Sequence, residues 1–119
     1  MRILLDTHIL IWMINDSPNL TIEHRNQIKN AEAVFVSLVS LWECIIKINI
    51  GKLTLDMQKL LDSLEGYGLE ILPLRMHHLQ TLMSLPLKHR DPFDRMLIAQ
   101  AKSEPLILLT EDKHIQGYF

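Results

Sequence analysis

A chain of 119 residues, 48% apolar and 22% charged, is sized for one domain and can bury roughly two thirds of its unfolded surface; no biased tract suggests a disordered tail. Twelve Lys and Arg against fourteen Asp and Glu leave a net charge of −2, which excludes coating of nucleic acid through bulk positive charge and confines any grip on a polyanion to a local patch. The single cysteine, Cys44, excludes an intrachain disulfide or cysteine-rich zinc site, and no stretch approaches the roughly twenty apolar residues of a membrane span, so the expectation is a cytoplasmic protein without a membrane partner.

In chain order, Arg2 to Asp6 reads as a buried strand and His8 to Ile14 as a short apolar helix ended by the turn-forming Asn15-Asp16-Ser17-Pro18. Thr21 is the N-cap of a helix over Ile22 to Asn30, with Glu23 in its first turn and Lys29 in its last. Val34 to Ser37 is the second strand. Ser40 begins the next helix, whose apolar positions Leu41, Cys44, Ile45 and Ile48 recur at helical spacing until Gly51 supplies a left-handed stop. Asp56 opens a helix over Met57 to Glu65, Gly66-Tyr67-Gly68 turns the chain into a third strand over Leu69 to Leu74, and Met76 to Leu85 is helical until Pro86. Asp91-Pro92 starts the last long helix, which Pro105 ends, and Pro105 to Thr110 is the fourth strand.

Strands that alternate with helices and are written as continuous apolar runs predict an α/β fold, a three-layer sandwich with a central parallel sheet of about four strands flanked by helices. In such sheets ligands sit beyond the carboxyl ends of the strands. Asp6, Glu43 and Asp112 follow three of the apolar runs and Asp94 opens the last long helix, so these acids are expected to share one crevice, where like-charge repulsion calls for a cation and a divalent metal is the simplest one.

Each acid also has a structural explanation. Asp6 fits a helix N-cap, Ser40 and Glu43 fit a capping box, and Glu43 stands four residues before Lys47 in the order that favours an ion pair. Asp91, Pro92 and Asp94 fit a cap, a first helical position and a first-turn acid. Two aspartates in one turn, with His89, Arg90 and Arg95 beside them, exceed what capping requires and put cations where a phosphate would be held. Of Glu111 and Asp112, the second is expected to turn back over the crevice and the first to point outward. His77-His78 are read as surface or partly packed, because adjacent histidines face different sides of a helix.

The series Leu5-Asp6-Thr7-His8, Ser40-Leu41-Trp42-Glu43 with Lys47 and Gly51-Lys52-Leu53, His89-Arg90-Asp91-Pro92-Phe93-Asp94-Arg95 and Thr110-Glu111-Asp112 closely resembles the PIN-domain ribonucleases, specifically the VapC-type toxins of bacterial toxin-antitoxin pairs. The resemblance spans nearly the whole chain. It implies a metal-dependent endoribonuclease in which Asp6, Glu43, Asp94 and Asp112 hold one or two Mg²⁺ or Mn²⁺ ions, with Asp91, Thr7 and Thr110 as accessory residues and Lys47 and Arg95 as contacts for substrate phosphate. It also implies an RNA substrate, a small VapB-type antitoxin that silences the site, and a homodimer. Relatives of this kind continue past the equivalent of Tyr118-Phe119 into a short final strand. A silent binding module or a structure-specific DNA nuclease are the alternatives; the first usually lacks one of the acids, and the second carries long inserted helices for which the chain has no room.

Overall fold

The structure, a computed structural model, describes residues 1–119. Its elements run β1 (Arg2–Leu5), α1 (Thr7–Ile14), α2 (Ile22–Asn30), β2 (Ala33–Ser37), α3 (Leu38–Asn49), α4 (Met57–Gly66), β3 (Glu70–Leu72), α5 (Met76–Ser84), α6 (Pro92–Ser103), β4 (Ile107–Leu109) and α7 (Lys113–Gln116). The four strands form one sheet in the order β3-β2-β1-β4, and every pairing is parallel. The chain steps from β1 through β2 to β3 on one side and returns to place β4 on the other. β1 and β4 therefore flank the point where the winding reverses, the place such sheets reserve for a ligand.

Alternation of side chains along the strands divides the core in two. Ile3, Leu5, Val34 and Val36 face one layer, where Ile9, Leu10, Met13 and Ile14 of α1 and Leu60 and Leu64 of α4 cover them. Leu4 and Leu108 face the other, against Leu97, Ile98 and Ala101 of α6 and, beyond it, Ile115 and Tyr118. Ile3, Leu4 and Leu5 are wholly buried, each worth about 1.5–3 kcal/mol of transfer free energy, and this is why the first strand reads as an uninterrupted apolar run. The helix α3 packs against α6, with Val39 against Met96 and Ala99, which brings the amino-terminal halves of the two helices together.

Most expected elements stand where the sequence put them, with three corrections. The third and fourth strands are shorter than Leu69–Leu74 and Pro105–Thr110, because Leu69 N donates to Leu64 O at 2.8 Å and Leu106 N to Ala101 O at 2.9 Å, so the flanking residues complete helix exits instead of a ladder. The helix expected to start at Ser40 starts at Leu38. Its cap is Ser37, whose Oγ accepts from Val39 N at 3.0 Å, so there is no capping box between Ser40 and Glu43. The short α7 was not foreseen; Asp112 caps it by accepting from His114 N at 2.8 Å. Gly51 has φ +75, as the left-handed stop requires.

Candidate functional site

The four acids come from four different elements and meet at the carboxyl end of the sheet. Asp6 is the residue after β1 and the N-cap of α1. Its Oδ1 accepts from Ile9 N at 2.7 Å, its own N–H donates to Leu109 O at 3.1 Å, and Thr110 Oγ1 donates to its Oδ2. Thr110 is held in turn, since its Oγ1 accepts from Asp112 N at 3.0 Å. The ends of β1 and β4 are thus tied by one hydroxyl that touches two of the candidate acids. Thr7, beside Asp6, is buried and donates from Oγ1 to Ser40 Oγ at 3.0 Å, which ties the start of α1 to the first turn of α3. That is the task of Ser40 in place of capping.

Glu43 lies on α3 one turn beyond Ser40 and is 4% exposed. Its Oε2 pairs with Lys47 Nζ at 3.1 Å, while Oε1 is buried with no hydrogen-bond partner. An orphaned carboxylate oxygen is costly, of order 1–3 kcal/mol or more for a charged group, and so requires an explanation. Asp91 caps α6 by accepting at Oδ1 from Phe93 N at 2.9 Å and Asp94 N at 3.1 Å. This fixes the first turn of α6, which carries Asp94, and Asp94 Oδ2 accepts from His89 Nε2 at 2.8 Å.

The electrostatics link neighbours among the four acids. Burial pushes the Asp6 carboxyl above its ordinary value and the nearby Asp112 adds to the effect, outweighing the bonds from Thr110 and Ile9. Burial likewise raises Asp94, with Asp91 and Glu43 adding repulsion and only His89 opposing it. Asp112 departs the other way: burial works upward, but the bonds and charge of His114 and the charge of His89 outweigh it and hold the carboxyl low. Asp6 therefore feels Asp112, Asp112 feels His89, His89 binds Asp94 and Asp94 feels Glu43. Three groups in this chain, His89 Nε2 and one oxygen each of Asp94 and Asp112, lie within 4.8 Å of one another.

A cleft of about 300 Å³ opens onto Asp6 and Asp112 and is lined also by His8, Trp12 and Glu111. Glu111 was expected to point outward. It lines this cleft while remaining half exposed, with one carboxylate oxygen bonded to Nε2 of the buried His24 of α2. A larger cleft of about 540 Å³, with Met13, Ile28, Ala33 and Gly66 in its walls, lies at the opposite end of the strands and touches none of the acids.

The cations are placed differently from one another. Lys47 is a third exposed and stays beside Glu43, so it remains available at the site. Arg95 is turned away: its Nη1 donates to Pro86 O at 2.9 Å and to Tyr118 Oη at 3.1 Å, and Tyr118 Oη accepts from Lys88 N and His89 N while donating to Pro86 O. In the structure Arg95 braces the loop that carries His89. His77 and His78 also differ from expectation, since both rings reach one oxygen of Glu104, at 2.6 and 2.7 Å. His78 is wholly buried and its Nδ1 accepts from Arg75 N at 3.0 Å, while His77 lies half in solvent.

The PIN domain family model matches residues 3–118. Among solved structures, VapBC2 from Rickettsia felis bound to a promoter DNA fragment superposes with a TM-score of 0.74 at 20% identity, covering 99% of this chain and 93% of that one. DNA-bound VapBC from Salmonella typhimurium gives 0.70 at 21% identity, covering 98% and 91%. FitAcB from Neisseria gonorrhoeae gives 0.68 at 20% identity, also covering 98% and 91%. No curated protein sequence is matched.

Proposed function

Because the chain belongs to the PIN-domain family, whose members are generally nucleases, we propose that it is a divalent-metal-dependent endoribonuclease of the VapC toxin type. The observation that carries this reading is the buried Oε1 of Glu43, which has no partner in the protein, beside two further carboxylates raised chiefly by burial, Asp6 with Asp112 adding to it and Asp94 with Asp91 and Glu43 adding to it. A cation answers both. The ligand set is oxygen-rich, as Mg²⁺ or Mn²⁺ prefer, and few carboxylates need touch the ion directly.

Asp6, Glu43, Asp94 and Asp112 would hold the metal. When bound, such an ion neutralises the carboxylates, polarises a scissile phosphate and lowers the pKa of a coordinated water, so that no side-chain nucleophile is required. The protein's own contribution is placement. Thr110 fixes the rotamer of Asp6 and the backbone before Asp112, Asp91 fixes the turn bearing Asp94, Thr7 and Ser40 fix the distance from α1 to α3, and Lys47 offers a cation at the rim for a substrate phosphate. Cleavage by water would leave a 5′-phosphate on the RNA product.

An antitoxin of the VapB kind and a second copy of the chain are the partners this reading carries with it. Exposed apolar side chains support both: Leu38, Trp42 and Ile45 recur on one face of α3, and Met76, Leu79 and Met83 on one face of α5. Trp42 is 59% exposed although it packs edge-on against Phe93, an arrangement that holds the indole in place for a partner. No helix is long and apolar enough to cross a membrane.

The test is cleavage of single-stranded RNA with Mg²⁺ or Mn²⁺ by the parent, Asp6→Asn and Asp94→Asn, with chelator controls and end-group analysis of the products. Metal-dependent cutting that is lost in both variants, leaving 5′-phosphate ends, supports the reading. Cutting that survives in chelator, or in both variants, refutes it.

A further inference from the structure

Whether a histidine can bind a metal depends on which ring nitrogen keeps a lone pair, and three of the six histidines differ in this respect. His24 Nδ1 accepts from Thr21 N at 3.3 Å and His78 Nδ1 accepts from Arg75 N at 3.0 Å. Each neutral ring must then carry its proton on Nε2, and each directs it to a glutamate, Glu111 and Glu104 respectively. The group formed by His77, His78 and Glu104 brings three ligand atoms within 4.8 Å of one another, but the buried His78 offers a donor there instead of a lone pair.

His89 is built the other way. Its Nε2 is the atom that lies with the oxygens of Asp94 and Asp112, and no protein group binds its Nδ1. The proton that Nε2 shares with Asp94 Oδ2 can therefore move to Nδ1, which leaves a lone pair on Nε2 aimed between two carboxylates. The ring is also held in place. His89 N donates to Tyr118 Oη at 2.9 Å, and the ring stacks on His114 with centroids 5.4 Å apart and planes 9° from parallel.

We propose that His89 Nε2 is a direct nitrogen ligand of the metal held by Asp94 and Asp112, and that this mixed nitrogen and oxygen set makes the protein select Mn²⁺ over Mg²⁺. Imidazole suits transition metals, whereas Mg²⁺ prefers oxygen and keeps its waters. The proposal rests on the metal-dependent nuclease reading and adds the identity of the ion. If the ring enters as the neutral form, the proton passes from Nε2 to Nδ1; if it enters as imidazolium, one proton leaves to solvent on binding.

The experiment uses the full chain and measures binding instead of turnover. Mn²⁺ and Mg²⁺ are titrated calorimetrically into the parent, His89→Gln, His114→Ala and Asp94→Asn, and pulsed electron paramagnetic resonance of the Mn²⁺-loaded proteins reports directly coordinated nitrogen. Thermal melts in chelator establish that each variant is folded. The parent is expected to bind Mn²⁺ more tightly than Mg²⁺ and to show a single imidazole nitrogen coupling. His89→Gln should lose that coupling and weaken Mn²⁺ binding by roughly tenfold or more while changing Mg²⁺ binding less, and His114→Ala should keep the coupling. Absence of nitrogen coupling in the parent, or Mn²⁺ binding to His89→Gln as tight as to the parent, overturns the proposal and leaves the nuclease reading standing, provided Asp94→Asn still loses the metal. Failure of the parent to bind either ion overturns both.

Discussion

Replacing Asp94 by Asn should make the protein more stable without metal and indifferent to metal. Asp94 is held above its ordinary value of 3.8, with burial the largest cause and Asp91 and Glu43 adding to it. Every unit of that elevation disfavours the ionised fold near pH 7 by about 1.4 kcal/mol. The bond from His89 already lies inside this balance, and Asn keeps an oxygen to accept it. With an unfolding entropy of about 2.1 cal/mol/K per residue, a chain of 119 residues gains about 0.25 kcal/mol per degree, so each unit corresponds to about 5–6 °C in Tm. Mn²⁺ at a hundred times its Kd should stabilise the parent by about 2.7 kcal/mol, or about 11 °C, and the variant far less. Differential scanning calorimetry in chelator and in Mn²⁺ measures both. A variant that melts below the parent in chelator, together with equal metal shifts in the two proteins, would refute the account of these carboxylates as a repelling set that awaits a cation.

The same reasoning fixes a pH dependence. Asp6 and Asp94 have raised folded values, so the stability they lend is fully present below about 3.8 and is lost as pH rises through the folded values; the Tm advantage of Asp94→Asn over the parent in chelator should therefore grow from about pH 4 to pH 7. Glu104 runs oppositely, since its bonds to His77 and His78 hold it low; its contribution is present above about 4.5 and fades as pH falls through the folded value, and Glu104→Gln should flatten the acid limb of the parent's melting curve. Thr110→Val removes the hydroxyl shared by Asp6 and the Asp112 backbone at nearly constant shape, and should lower stability by about 1–3 kcal/mol and reduce metal affinity, both readable by melts with and without Mn²⁺. Cys44 is wholly buried and its thiol is pushed up to about 11, chiefly by burial; maleimide at pH 8 should leave it unlabelled in the native protein and label it in urea.

How much of this was legible in the sequence follows from which interactions are local. Thr21, Asp56 and Asp91 are caps whose partners lie two or three residues away, so their helices begin where the sequence places them. The start of α3 was misplaced because two serines compete for one cap, and the choice is made at a distance: Ser37 Oγ also donates to Gln100 Oε1 at 2.6 Å and Ser40 Oγ takes the proton of Thr7. Contacts spanning 63 and 33 residues leave no trace in local spacing. Asp6, Asp94 and Asp112 stand out because each follows a strand or opens a helix, whereas Glu43 lies inside α3, in its second turn. The histidine that holds Glu111 is legible in part: the pairing of Thr21 with His24, three residues on, follows the spacing of a capping box and marks that ring as a structural acceptor.

What the sequence could not display is the degree to which the site is organised before any ion arrives. In three of the four acids one oxygen is fixed by the protein while the other accepts no hydrogen bond from it: Glu43 Oε2 is fixed by Lys47, Asp94 Oδ2 by His89 and Asp112 Oδ1 by the His114 backbone. Asp6 alone has both oxygens engaged, by Ile9 N and Thr110, and it sits where β1 and β4 are tied together. This division is what a preorganised cation site needs. An anchored acid sets the origin, and three half-satisfied acids keep one oxygen free in fixed rotamers, so binding costs little ordering entropy. Capping alone would leave no reason for the free oxygen of Glu43 to be buried. Helix capping and metal binding are therefore not rival explanations of these residues: the hydrogen bonds that cap α6 and α7 orient the turns bearing Asp94 and Asp112, and the oxygens left free on Glu43, Asp94 and Asp112 are the ones a cation would take.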